Sequence, residues 1–299
     1  MFKRCLICTD FTDGLDRFAS FVPSLSASGL NYIVFLHSVP YWEEGEIPHV
    51  DEEKVAAAKR HLEIALENVP EGVEVKVEVP TGKPSDTIPR IVEQEKIEVV
   101  LAGTPIRSFL QEKVFGSTSL SLARATSAPL MIFRPNQISV YTKEELDLRC
   151  QHLWRSLLIP YNDSEAAQYL VQQIKRYVQE DGTSTLRECI LLWVISEAGR
   201  MPKETLESRK QEAEKRIQEV RADLETIGLK VTTQVRVGNP TLEILNGVLT
   251  EDVSAIAVGS DDRGGLLEWT VQSLANEILR SSWYPVLFFS QARSRTEVL

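Results

Sequence analysis

A chain of 299 residues is long enough for two ordinary domains, each with its own core. Its 43% hydrophobic and 25% charged residues are the balance of a soluble globular protein, while a net charge of −10 and a pI near 5.1 argue against nucleic acid or an anionic membrane surface as partner. No apolar run approaches the roughly 18 residues of a membrane-crossing helix, and Asp10 and Asp13 interrupt the apolar start too early for a secretory signal, so a cytoplasmic location is expected.

Residues 2–9 read as a first strand, closed by Asp10-Phe11-Thr12-Asp13-Gly14. Thr12 or Asp13 is placed to cap a helix running to about residue 26. Cys5 and Cys8 fall within that strand, where residues three apart point to opposite faces. A redox or metal pair needs both sulfurs on one side, so core packing is the reading. Cys150 and Cys189 have no partner pattern, and four cysteines are too few for a disulfide framework. Residues 31–39, rich in β-branched and aromatic side chains, form a second strand ending near His37 and Ser38. A loop follows, then a helical stripe of Val55, Ala58, Leu62, Ala65 and Leu66. Residues 73–79 alternate cleanly, which suits a sheet edge. Thr81-Gly82-Lys83-Pro84 leads into a helix over 85–94, and a buried-looking strand over 97–102 ends at Gly103. A loop then reaches Gly116-Ser117-Thr118, which opens a helix over 117–126, before a last strand over 128–133. Strands alternating with helices imply parallel βαβ units in one layered α/β domain.

The strand, loop and helix start over 101–118 would offer free backbone N–H groups and a positive dipole, an arrangement suited to phosphate. The whole series then repeats. His37 and Trp193, Gly72 and Gly228, Gly82 and Gly238, Pro84 and Pro240, Gly103 and Gly259, Ser117 and Ser273, and Pro129 and Pro285 all lie 156 residues apart. Asp10 and Asn162 are 152 apart, so four extra residues entered between the first two strands of the second half. The chain reads as a duplication: domain 1 over 1–136, a linker over 137–151, domain 2 over 152–292 and a tail over 293–299. The long charged stretch over 204–227 is a solvated helix face.

A strand ending Thr9-Asp10-Phe11-Thr12, a second strand with Leu36-His37-Ser38-Val39, Gly82-Lys83-Pro84 before the third helix, and a glycine loop from Gly103 to Gly116-Ser117 together resemble the universal stress protein family. The likeness spans nearly all of the chain and identifies it as similar to tandem members. The resemblance implies two doubly wound five-stranded parallel α/β sheets in the order 3-2-1-4-5, each with helices on both faces. It places a ligand crevice at the carboxyl ends of the strands, where strand order reverses. Nucleotide-binding members hold ATP or AMP there, which makes ATP or AMP the implied cofactor. Carried over, Thr9, Asp10 and Ser38 stand on the adenosine side, with Gly103, Gly116, Ser117 and Thr118 around the phosphates. The departure in domain 1 is Pro105-Ile106: the proline removes an N–H donor, and Ile106 stands where the pattern has glycine. Arg107 is the candidate to compensate by pairing with phosphate oxygens.

Domain 2 departs further. Asn162 replaces the acidic residue, Asp262 stands at the second glycine, and Gln272 replaces the glycine before Ser273. Asp261, Asp262 and Glu268 oppose a phosphate chain, and Gly264 and Gly265 do not rebuild the pattern. Domain 2 is therefore expected to be a non-binding structural copy. His49, His61 and His152 have no ligand spacing, and no carboxylate pair, P-loop or nucleophile elbow nominates a catalyst. Two readings follow: an adenine-nucleotide binding or sensing module that is not an enzyme beyond incidental ATP hydrolysis, or a non-nucleotide-binding scaffold acting through domain and dimer surfaces. Family dimers commonly pair through strand 5, so residues 130–133 and 286–289 are expected to pair within one chain, with further homodimerisation open.

Overall fold

The computed structural model describes residues 1–42, 49–103, 126, 128–134, 138–182, 184–196, 202–260 and 274–290. The chain divides into two compact units, Phe2–Gln151 and His152–Gln291. In the first, β1 (Arg4–Cys8), β2 (Tyr32–Leu36), β3 (Glu74–Glu78), β4 (Val99–Gly103) and β5 (Leu130–Phe133) form parallel pairs in the order β3-β2-β1-β4-β5. Every residue of β2 is buried, and β1 and β4 are buried except at one end each, as strands covered on both faces must be. The alternating strand β3 takes the half-exposed edge. Register sets Cys8 beside Leu36 on one side and Ala102 on the other, so the chain leaves β1 between the ends of β2 and β4.

The first helix departs from the expected one. A seven-residue 3₁₀ helix, Leu15–Phe21, begins after Gly14 at φ 81 with no side-chain cap, and α1 (Val22–Ala27) starts only where Pro23 fits the first turn. Asp13 accepts the Leu15 N–H at 2.9 Å, but its side chain turns inward instead of standing at a solvated cap. Next come α2 (Glu52–Leu62), capped by Asp51, and α3 (Pro84–Gln94). The segment expected to link the domains carries α4 (Lys143–Gln151), which packs on α1. Leu146 and Cys150 are buried there, Ser24 donates to the Asp147 carboxylate, and the Arg17 guanidinium reaches the carbonyls of Ile138 and Tyr141. Two buried apolar positions are enough to seat a helix whose remaining residues are mostly charged or polar.

The second unit repeats the order with β6 (Ser156–Pro160), β7 (Glu188–Ser196), β8 (Lys230–Gly238), β9 (Ala255–Ser260) and β10 (Val286–Ser290) paired as β10-β9-β6-β7-β8. Its helices are α5 (Glu165–Asp181), α6 (Lys203–Glu225), α7 (Pro240–Thr250) and α8 (Leu274–Ser281). The charged helix α6 buries only Ala213, Ile217 and Leu224, the narrow stripe its composition allows. All four cysteines are buried free thiols. Burial raises the pKa of each, that of Cys189 to about 12, which leaves them as core atoms and not as nucleophiles.

Candidate functional site

In the first unit strand order reverses between β1 and β4, and the crevice opens at their carboxyl ends. Thr9 leaves β1 almost fully buried. Its N–H donates to Leu36 O at 3.0 Å, its hydroxyl donates to Asp13 Oδ1 at 2.9 Å, and the His37 ring meets its carbonyl through Nδ1 at 2.9 Å. Asp10 is exposed. Its Oδ1 accepts from the Thr12 N–H and hydroxyl, both at 2.8 Å, and from the Asp13 N–H at 3.0 Å. These bonds hold the carboxylate in one orientation and leave Oδ2 without a partner among the described residues. Phe11 completes the turn at φ 62, a conformation that costs a bulky residue about 1–3 kcal/mol. Its ring offsets this by stacking on His37 at 4.2 Å and meeting His61 edge-on at 4.7 Å. His37 is thus a packed, hydrogen-bonded residue.

Asp13 is the only Asp, Glu, Lys, Arg or His that is buried among the described residues, at 4% exposure. Burial pushes its carboxyl up to about 6, against the pull of hydrogen bonds from Leu15, Thr9 and Asp10. The neighbouring Asp10 charge adds to the rise. Gly103 ends β4 directly over this carboxyl: a Cβ there would lie 2.4 Å from Asp13 Cβ and 2.8 Å from Oδ2. The glycine expected at the start of a phosphate loop therefore has a second reason to be glycine, since any side chain would displace a buried acid. Ser38 shares a hydrogen with Thr87 Oγ1 at 2.6 Å, and Thr87 in turn reaches Lys83 O, so Ser38 ties β2 to the start of α3. The structure thus brings Thr9, Asp10, Ser38 and Gly103 to the strand ends, whereas Arg107, Gly116, Ser117 and Thr118 lie outside the described residues.

The second unit keeps the turn and changes its chemistry. Asn162 Oδ1 accepts the Ser164 N–H at 3.2 Å, as Asp10 does with Thr12, and Asp163 repeats the left-handed backbone of Phe11 at φ 61. Tyr161 stands in the place of Thr9 and makes the same strand contact, N–H to Leu192 O at 3.0 Å. Its hydroxyl donates to Asp163 Oδ1 at 2.9 Å, and its ring lies 5.9 Å from that of Trp193. Gly259 makes room not for a carboxyl but for α5 itself, since a Cβ would fall 2.5 Å from Ala166 O. A pocket of about 370 Å³ opens beside these strand ends. Its polar lining is Tyr161, Asn162, Asn239, Thr241 and Glu277, and Thr241 donates its hydroxyl to Glu277. Asp261, Asp262, Glu268 and Gln272 lie outside the described residues.

Sequence reading missed Asp13, which looked like a helix cap, and the pair Thr241–Glu277, whose members sit 36 residues apart on different helices. The matched glycines at 103 and 259 signal only a close approach at the end of the strand, and what approaches differs between the units. Among the described residues no three His, Cys, Asp or Glu side chains converge as a metal-binding set, and no helix is long and apolar enough to cross a membrane.

The model of the universal stress protein family matches the chain twice, over residues 1–134 and 154–290. Universal stress protein MJ0577 of Methanocaldococcus jannaschii is 26% identical over 163 residues, which cover 48% of this chain and 98% of that protein. Among solved structures, a universal stress protein from Archaeoglobus fulgidus aligns over 97% of both chains with a TM-score of 0.62 at 18% identity. A putative universal stress protein from Pseudomonas aeruginosa aligns over 97% of this chain and 93% of its own with a TM-score of 0.59 at 15% identity. At those identities the two structures speak for the fold.

Proposed function

Since this chain belongs to the universal stress protein family in both of its halves, we propose that it is a stress-response protein that binds an adenine nucleotide, ATP or AMP, through its first unit. The second unit is, in this reading, a structural copy that takes no nucleotide. The supporting observation is Asp10, a carboxylate at the point of strand reversal whose Oδ1 is fixed by three donors while Oδ2 stays available to an adenosine donor. Arg107 and Gly116-Ser117-Thr118 supply the phosphate side by sequence. No catalytic residue is assigned, so any ATP hydrolysis is incidental. A cytoplasmic location and a homodimer belong to the same proposal.

Calorimetric titration of the full chain tests it. ATP or AMP is expected to bind in the micromolar range, Asp10→Ala to weaken that binding at least about tenfold, and Asn162→Ala to leave it unchanged. Silence at millimolar nucleotide would sink the proposal.

One observation favours a second reading, an interaction protein acting through its surfaces. Helix α7 exposes Leu242 and Leu249 at 61% and 72%, with Leu245 half-buried between them. At the offset of 156 the same positions in α3 are Asp86, Pro89 and Glu93. The duplicated helix has thus acquired an apolar outer face in one copy only.

A further inference from the structure

We propose that the pocket of the second unit is a binding site for a small protonated amine with an apolar body, a ligand class distinct from the nucleotide assigned to the first unit. The pocket, at about 370 Å³, falls within the roughly 300–1,000 Å³ of ligand sites. Leu192, Val194, Ile244 and Leu274 supply apolar lining, with Tyr161 as an aromatic wall. Among the described residues that line it, Glu277 is the only charged one.

The polar groups are constrained well enough to say what they leave open. Glu277 receives the Thr241 hydroxyl on Oε2, and Oε1 has no partner among the described residues. No lysine or arginine pairs with this carboxylate there. Asn162 Oδ1 is taken by the Ser164 N–H at 3.2 Å, and Asn239 Oδ1 by the Leu242 N–H at 3.1 Å. Because both amide oxygens accept backbone N–H groups, both amide nitrogens are left as donors. Among the described residues the site therefore offers one anionic acceptor and two neutral donors beside apolar side chains. A cation pairs with the carboxylate more strongly there than in open water, and a hydroxyl or carbonyl on the same ligand satisfies an amide. A phosphate meets the carboxylate head-on and is refused.

The first half provides an internal contrast. At the offset of 156, Glu277 corresponds to Ser121 and Thr241 to Ser85, so the buttressed carboxylate belongs to the second copy alone. Loss of the phosphate pattern and gain of an anionic acceptor occurred in the same copy, which reads as a change of ligand and not only as decay.

The test uses the full chain and phenethylamine as the probe, with phenylacetate and AMP as comparators, read by ligand-observed NMR and calorimetry. Saturable phenethylamine binding is expected, with no binding of phenylacetate and no displacement by saturating AMP. Glu277→Gln, nearly isosteric, is expected to weaken the amine at least about tenfold. Val194→Trp, which fills the pocket from a half-buried strand position, is expected to abolish binding, with circular dichroism confirming both folds. Absence of saturable amine binding at millimolar probe, equal binding of phenylacetate, displacement by AMP, or wild-type affinity in Glu277→Gln would each overturn the proposal. Nucleotide binding by the first unit is untouched by any of these results, so the two readings fail separately.

Discussion

At the scale of the residue, Asp13 carries the clearest energetic signature in the first unit. Its folded carboxyl titrates near 6 against an ordinary value of 3.8, because burial penalises the charge. A raised folded pKa means that the folded state holds the proton more tightly than the unfolded chain does. The stabilisation is therefore fully present below the unfolded value of 3.8 and is lost as pH rises through about 6. A rise of this size corresponds to about 3 kcal/mol. Asp13→Asn removes the titration while keeping an oxygen for the Leu15 N–H. Denaturant melts at intervals between pH 4 and pH 7 should show this variant gaining on the wild type as pH rises, by up to about 3 kcal/mol. A difference that stays flat over that window would show that Asp13 is not the buried acid described. The same proximity explains why Gly103 tolerates no side chain, whatever ligand lies above it.

At the scale of the element, the duplication makes each helix a control for its counterpart. The outer leucines of α7 are exposed, so exchanging them for the residues of α3 removes no core packing. Leu242→Asp with Leu249→Glu should shift stability by no more than about 0.5 kcal/mol per site. If this face joins two copies of the chain, sedimentation should show the wild type associating with concentration and the double variant remaining monomeric; equal association in both would remove the face from consideration. The elements themselves were largely legible in the sequence, because Gly-x-Pro punctuation and buried strand runs recur at one spacing. What escaped was three-dimensional. Asp13 in a helix-start sequence looks like a solvated cap, and only the backbone of β4 passing over it reveals burial. α4 looked like a linker because Leu146 and Cys150 are few among many charges, yet a contact with α1 needs no more. Thr241 and Glu277 could not be paired from sequence, since nothing in one helix announces which residue of another it will face.

At the scale of the whole molecule, two units share a fold and a crevice position but not a chemistry. The first presents Asp10 beside a buried acid; the second presents Asn162, Asn239 and a buttressed Glu277. The chain should accordingly bind close to one adenine nucleotide, not two. Titration to saturation at protein concentrations well above the dissociation constant measures this directly, and a value near two would mean that the carboxylates of the second half do not exclude phosphate.

The left-handed turn shared by Phe11 and Asp163 has a further consequence. Both copies hold this backbone shape, which aspartate adopts more readily than phenylalanine, although the side chains around it have diverged. The path of the chain is the same in both copies while the side chains along it differ. A protein that carries such a scaffold in duplicate holds a spare: one copy can keep a task while its twin, still folded, is free to change. New specificities can then arise on a backbone already proven, without any interval in which the old one is lost.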